Sequence, residues 1–259
     1  MTPPIHVEAH ARFLKDMLEL QLWYVIHVVR SEGSDFIETI TRRTQIYSFS
    51  ATSIGHLPAR ENPEWLALAE ALRSRWQELG DVKFLDSLWS LLEPHIAPGI
   101  SGQLKKEREA LQQSDCGFSH EYHPEYFGPE EPDLLTLHFR NYFVPDSPFR
   151  HRQELVEGLL RILDKIPEEC REVNDVQCGT WLNNVVPFLD LFPEAWKKSS
   201  QSVPMDGSFG WWGQFVDRAE QFHKRNAAAF KRTGEFLFPN RVCTCAVDDL
   251  RDHLESGGK

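Results

Sequence analysis

Between Leu134 and Asn184 two short strand-like runs flank one strongly periodic helix, and this stretch limits the possible folds more than any other. Leu135-Thr136-Leu137-His138-Phe139-Arg140-Asn141 alternates apolar and polar residues, the pattern of a half-buried strand. From Phe149 to Ile166, the residues Leu155, Leu159, Ile162, Leu163 and Ile166 recur on one helical face. Val173 to Cys178 then reads as a second strand, ending at Gly179-Thr180 where a helix begins. Strand, helix and strand in that order predict a β-α-β unit, and in such sheets ligands collect outside the carboxyl ends of the strands.

The first 115 or so residues read as helices. Val7 to about Arg30 is apolar around most of its circumference in its second half, as expected of a helix central to a packing unit. Gly33-Ser34-Asp35 breaks it, and Asp35 with Glu38 forms a capping box for the next helix. Asn62-Pro63 is a helix start, with an N-cap followed by proline at the first helical position. Gly80 ends that run; Asp81 to Glu93 follows and Pro94 stops it, before a polar helix over Ser101 to Gln113.

From Ser114 to Asp133 periodicity disappears, which predicts a loop or junction. Beyond the β-α-β unit, a helix from Thr180 is interrupted at Pro187 and ends near Phe192-Pro193, and Lys197 to Gly207 reads as a loop. Phe209 to Val216 places aromatic side chains on both faces of an expected buried strand. Asp217 with Glu220 is a capping box for a helix that Gly234 closes. Arg241 to Cys245 is a short strand before a terminal helix over Ala246 to Leu254. The expected fold is α+β (or α/β): a helical region 1–115, a junction 116–133 and a mixed region 134–259 carrying a small mixed sheet. The helical half is expected to pack on the mixed half.

A formal net charge of −11 argues against a nucleic-acid partner, because phosphate contacts need clustered Lys and Arg. The local basic groups, the longest running from Arg218 to Arg232, read as solvated faces. The most apolar stretch, Leu18 to Val29, holds Glu19, Gln21 and His27 and is too short and interrupted for a bilayer, so no membrane partner is expected. Five cysteines without framework spacing and the lack of a secretory start predict a reduced, cytoplasmic protein.

Polar residues gather at the expected strand ends. His138 could move a proton near neutral pH, with Asn141 and Ser147 beside it to orient a small polar ligand. Cys178 precedes a helix start, where the dipole would favour a thiolate, and a Cys–His pair with His138 follows if the two strands are neighbours. Thr180 and Asn183 lie at the same end as ligand contacts. Trp211-Trp212-Gly213-Gln214 adds an aromatic wall at Trp211 and an amide at Gln214. The loop Ser119 to Glu125, with His120, Glu121, His123 and Glu125, could join His138 in supplying three nitrogen or oxygen ligands to zinc or iron, although its spacing matches no strong metal signature. No nucleotide fingerprint, phosphate loop or serine nucleophile elbow is present, and no cofactor follows from the residues. The favoured expectation is a transferase or hydrolase acting on a small molecule, with His138 and Cys178 as catalytic groups. The alternative is that the same strand-end pocket only binds, in a non-catalytic ligand-binding or protein-interaction protein with the helical half as docking surface; it predicts a mostly apolar pocket, or an exposed apolar patch on the N-terminal helices. A metal-dependent enzyme using the His120/His123 loop is the third.

Overall fold

In a computed structural model, residues 7–50, 57–121, 134–169 and 173–257 are described, the side chains of 167–169 excepted. The fold is α+β: the N-terminal half is helical, and the C-terminal half carries a five-stranded mixed sheet. The chain forms two compact units. One comprises Met1–Arg108, Met205–Ser208 and Gln221–Leu237; the other Glu109–Pro204, Phe209–Glu220 and Phe238–Lys259.

In the first unit, α1 (Val7–Glu32) ends one residue before Gly33, which sits in the left-handed region. Asp35 caps α2 (Phe36–Arg43) by accepting the Glu38 N–H at 2.8 Å. A single turn, α3 (Ile46–Phe49), follows. Asn62 caps α4 (Pro63–Leu79) by accepting the N–H groups of Glu64 and Trp65, and Gly80, at φ 71°, ends it.

The helix expected to stop at Pro94 does not. α5 (Asp81–Gln113) runs through both Pro94 and Pro98. A proline inside a helix costs about 3 kcal/mol through its missing N–H and ring clash. The buried stripe Phe84, Leu88, Leu92, Ile96 and Ile100 crosses both prolines, so burial on either side offsets that cost. α10 (Lys224–Thr233), numbered after the elements of the other unit, adds Ala227 and Phe230 as its buried residues. The expected Asp217/Glu220 capping box instead makes a turn: Asp217 accepts the Ala219 N–H at 2.8 Å, and Glu220 has φ 57°. His223 caps α10, and Gly234 closes it in the left-handed region.

In the second unit the sheet order is β1-β2-β3-β5-β4, built from β1 (Phe118–Glu121), β2 (Leu134–Phe139), β3 (Asp175–Thr180), β4 (Gln201–Ser202) and β5 (Arg241–Ala246). β2 and β3 are parallel neighbours joined through α6 (Arg152–Glu169), which is the expected β-α-β unit; the other pairs are antiparallel. β1 replaces part of the expected loop, with Ser119 opposite His138 and Glu121 opposite Thr136. Leu135 and Leu137, Val176 and Cys178, and Cys243 and Cys245 share one core with the apolar stripe of α6. The short helices α7 (Val186–Leu189) and α8 (Glu194–Lys198) give that core Phe188 and Trp196, and α11 (Val247–Glu255) gives it Leu250 and Leu254. Phe209 to Val216 is not a strand: α9 (Phe209–Trp212) and a 3-10 turn, Gly213–Phe215, bury Trp212 and Phe215 three residues apart. No helix among the described residues is long and apolar enough to cross a membrane.

Candidate functional site

The strands bearing His138 and Cys178 lie side by side, with Thr136 level with Gln177, yet the two side chains face opposite ways. Alternation along a strand puts His138 on the polar face with Ser119, Glu121 and Gln177, and Cys178 in the core. His138 is half exposed, and its Nε2 lies 3.3 Å from a Glu121 carboxylate oxygen. Cys178 is 3 % exposed. Burial pushes its thiol up to about 12, with Cys243 beside it adding to the shift. A thiol so placed is protonated near neutral pH, and β3 continues two residues past it before the 3-10 turn Trp181–Asn184. The residue offers a packed methylene and sulfur rather than a thiolate at a helix start. The expected Cys–His pair does not form.

Most of the other polar side chains expected around a pocket bond the fold itself. Asn183 is buried; its amide donates to the carbonyls of Cys178 at 2.9 Å and Arg241 at 2.8 Å, and its Oδ1 accepts the Trp196 indole N–H at 3.0 Å. Gln214 bonds in the same manner: it donates to the carbonyls of Trp211 and Phe238 and accepts the Phe238 N–H at 3.1 Å. Asn141 donates to the carbonyls of Asp146 and Arg218 and accepts the Phe143 N–H, so it holds the loop after β2. Thr180 accepts the Leu182 N–H at 3.2 Å and starts the 3-10 turn. Trp211 donates its indole N–H to the Pro204 carbonyl. Ser147 begins a 3-10 turn, its backbone N–H bonded to Asp146. Aromatic side chains also occupy the carboxyl-end region, with Phe139 and Phe149 both against Phe188.

His120 lies on β1, and His123 lies outside the described residues. Among the described residues no three His, Cys, Asp or Glu side chains gather as metal ligands.

A groove lies elsewhere, in the helical unit. Trp23, Ile26, His27 and Arg30 follow one another on one face of α1, across from Val82 and Leu85 at the start of α5, around a groove of about 480 Å³. Gly80 makes the reversal that brings the start of α5 beside α1. Trp23 and His27 stack at 5.3 Å and 11°, and the Gly234 backbone lies so close to the His27 ring that a Cβ there would overlap it. One end of the groove is charged: Arg30 contacts Asp81 at 2.7 Å, and Asp81 also accepts the Trp76 indole N–H at 2.8 Å. Val82 is 71 % exposed. Its position, an apolar residue in the first turn of a helix and off the buried stripe, is the one sequence signal that could have pointed to the groove. No family model matches the chain, and no curated protein or solved structure is significantly similar to it.

Proposed function

We propose that the chain is a non-catalytic ligand-binding protein, holding a small, largely apolar molecule with one polar end in the groove between α1 and the start of α5. The groove itself carries this reading. Its volume of about 480 Å³ falls in the range of roughly 300–1,000 Å³ found for small-molecule sites. Trp23, Ile26, Val82 and Leu85 supply apolar walls, and the Arg30–Asp81 pair supplies a polar end. The satisfied hydrogen bonds of Asn183, Gln214 and Asn141 weigh the same way, since groups already bonded to the backbone have little left for a substrate. The net charge of −11 supports a partner other than nucleic acid or an anionic membrane. The free, buried thiols of Cys178, Cys243 and Cys245 suit a reducing, cytoplasmic setting.

The test is a fluorescence titration with anilinonaphthalene sulfonate, an apolar aromatic with one anionic end. Covering an exposed valine is worth about 1–1.5 kcal/mol. Val82→Glu removes that and adds a buried charge, so binding should weaken at least about tenfold. Equal affinity in the variant overturns the assignment. A second reading, acid–base catalysis by His138 oriented by Glu121, is favoured by their 3.3 Å contact. It requires that His138→Ala abolish a turnover that the intact chain shows.

A further inference from the structure

One strongly charged surface is not used by either reading. α10 carries Lys224, Arg225, Lys231 and Arg232 at positions i, i+1, i+7 and i+8, all exposed; Arg225 and Arg232 lie opposite the buried Ala227 and Phe230, and Lys224 and Lys231 flank them. The exposed Ala228 lies between the two pairs of cations and keeps the stripe flat. Lys231 is engaged with Glu19 at 3.0 Å; Lys224, Arg225 and Arg232 have no ion-pair partner among the described residues. Four cations on one face of a ten-residue helix stand out in a chain of net charge −11.

α11 bears the reverse pattern. Asp248, Asp249, Asp252 and Glu255 occupy positions i, i+1, i+4 and i+7, all exposed, opposite the buried Leu250 and Leu254. Only Glu255 is engaged there, at 3.8 Å from Arg251; the three aspartates have no ion-pair partner among the described residues. The α10 stripe extends about 12 Å along its axis and the α11 stripe about 10 Å, eight and seven residues from first charge to last. We infer that the α10 face of one copy docks the α11 face of a second copy of this chain, antiparallel, so that Lys224 and Arg225 meet Asp252 and Glu255 while Lys231 and Arg232 meet Asp248 and Asp249. Antiparallel packing also sets the cationic last turn of α10 beside the acidic first turn of α11, where the helix dipoles favour those signs. A nucleic acid or anionic membrane would meet the same cations but would leave the α11 acids without a counterpart.

The contact joins two different surfaces: made once per pair of copies it grows head to tail, and made reciprocally it closes a two-fold dimer. Because the groups are exposed, it is weak and salt-sensitive. Sedimentation equilibrium of the full chain tests it. At about 0.01 M ionic strength the weight-average mass should rise above that of the monomer with increasing concentration, and at about 1 M it should return to the monomer. Lys224→Glu/Arg225→Glu places acids in the first turn of α10, and Asp252→Lys/Glu255→Lys places bases in the last turn of α11. Both changes suit the helix dipole, so the fold should be retained, which circular dichroism checks. Each variant alone should associate at least about tenfold more weakly than the parent chain. Mixed together they should associate again, since every contact between unlike copies is then complementary. A parent chain that stays monomeric at low salt overturns the inference, as does a mixture that stays monomeric. Binding to an oligonucleotide or anionic vesicles that is lost with the α10 variant, while self-association is absent, reassigns the surface and overturns it equally.

Discussion

Asn183→Ala separates a structural amide from a ligand contact. The side chain makes three hydrogen bonds at 2.8–3.0 Å, and the residue is 4 % exposed, so water cannot take its place. A buried hydrogen bond contributes about 0.5–1.5 kcal/mol net, and a stranded buried group costs more. Removing the amide strands the Cys178 and Arg241 carbonyls and the Trp196 indole N–H, for a total of about 3–4 kcal/mol. Whole-domain stabilities run at roughly 5–15 kcal/mol. The loss is therefore a large fraction of the total, and a lowering of Tm by about 10 °C is expected. Urea unfolding followed by circular dichroism measures it. Asn141→Ala is the control. It also removes three hydrogen bonds, but water reaches their partners, and about 1 kcal/mol should be lost. A stability change below about 0.5 kcal/mol in Asn183→Ala would refute the reasoning.

Three further outcomes follow from the geometry. Iodoacetamide at pH 8 should leave Cys178 unmodified in the folded protein and label it after denaturation, because burial holds its thiol up at about 12; peptide mass spectrometry distinguishes the two, and rapid labelling in the folded state would contradict that burial. Burial pushes the Asp115 carboxyl up, but hydrogen bonds from Lys165 and Arg161 outweigh it and hold the folded value below the ordinary one. Its stabilising contribution is thus complete above the unfolded value near pH 3.9 and is lost as pH falls through the lower folded value. Asp115→Asn should be less stable than the parent at pH 6, by about 1–2 kcal/mol, with the gap closing toward pH 2 in urea titrations; a gap independent of pH would exclude the carboxylate as its source. Gly158→Ala should destabilise by at least about 2 kcal/mol, because a Cβ there overlaps the Asp115 carbonyl oxygen, and a neutral effect on Tm would show that the α6–turn contact can yield.

The β-α-β unit was legible because Leu135, Leu137 and the α6 stripe are buried with the periods their neighbours impose. Caps at Asp35 and Asn62 were legible for a local reason, since a side chain two or three residues away decides them. β1 was not: four residues, two of them exposed, depend on pairing with β2 rather than on their own pattern. The prolines of α5 misled because their cost is local while the compensation is a stripe packed in three dimensions. Trp211 to Gln214 alternates like a strand, but Trp212 and Phe215 share a helical face. At the candidate site the residue types were visible and their partners were not. Asn183 bonds Arg241, 58 residues away, and Gln214 bonds Phe238, 24 away, so neither could be told from a ligand contact by spacing. Glu121, expected in a loop beside His138, lies instead on β1, whose pairing with β2 brings it to 3.3 Å from that histidine.

A backbone amide chemical-shift map recorded while anilinonaphthalene sulfonate is titrated into the full chain tests the groove most directly. The expected shifts centre on Trp23, His27, Val82 and Leu85 and spare His138, Glu121 and Gln177. Shifts centred on the His138 face, with the α1–α5 groove unmoved, would contradict the binding site proposed here.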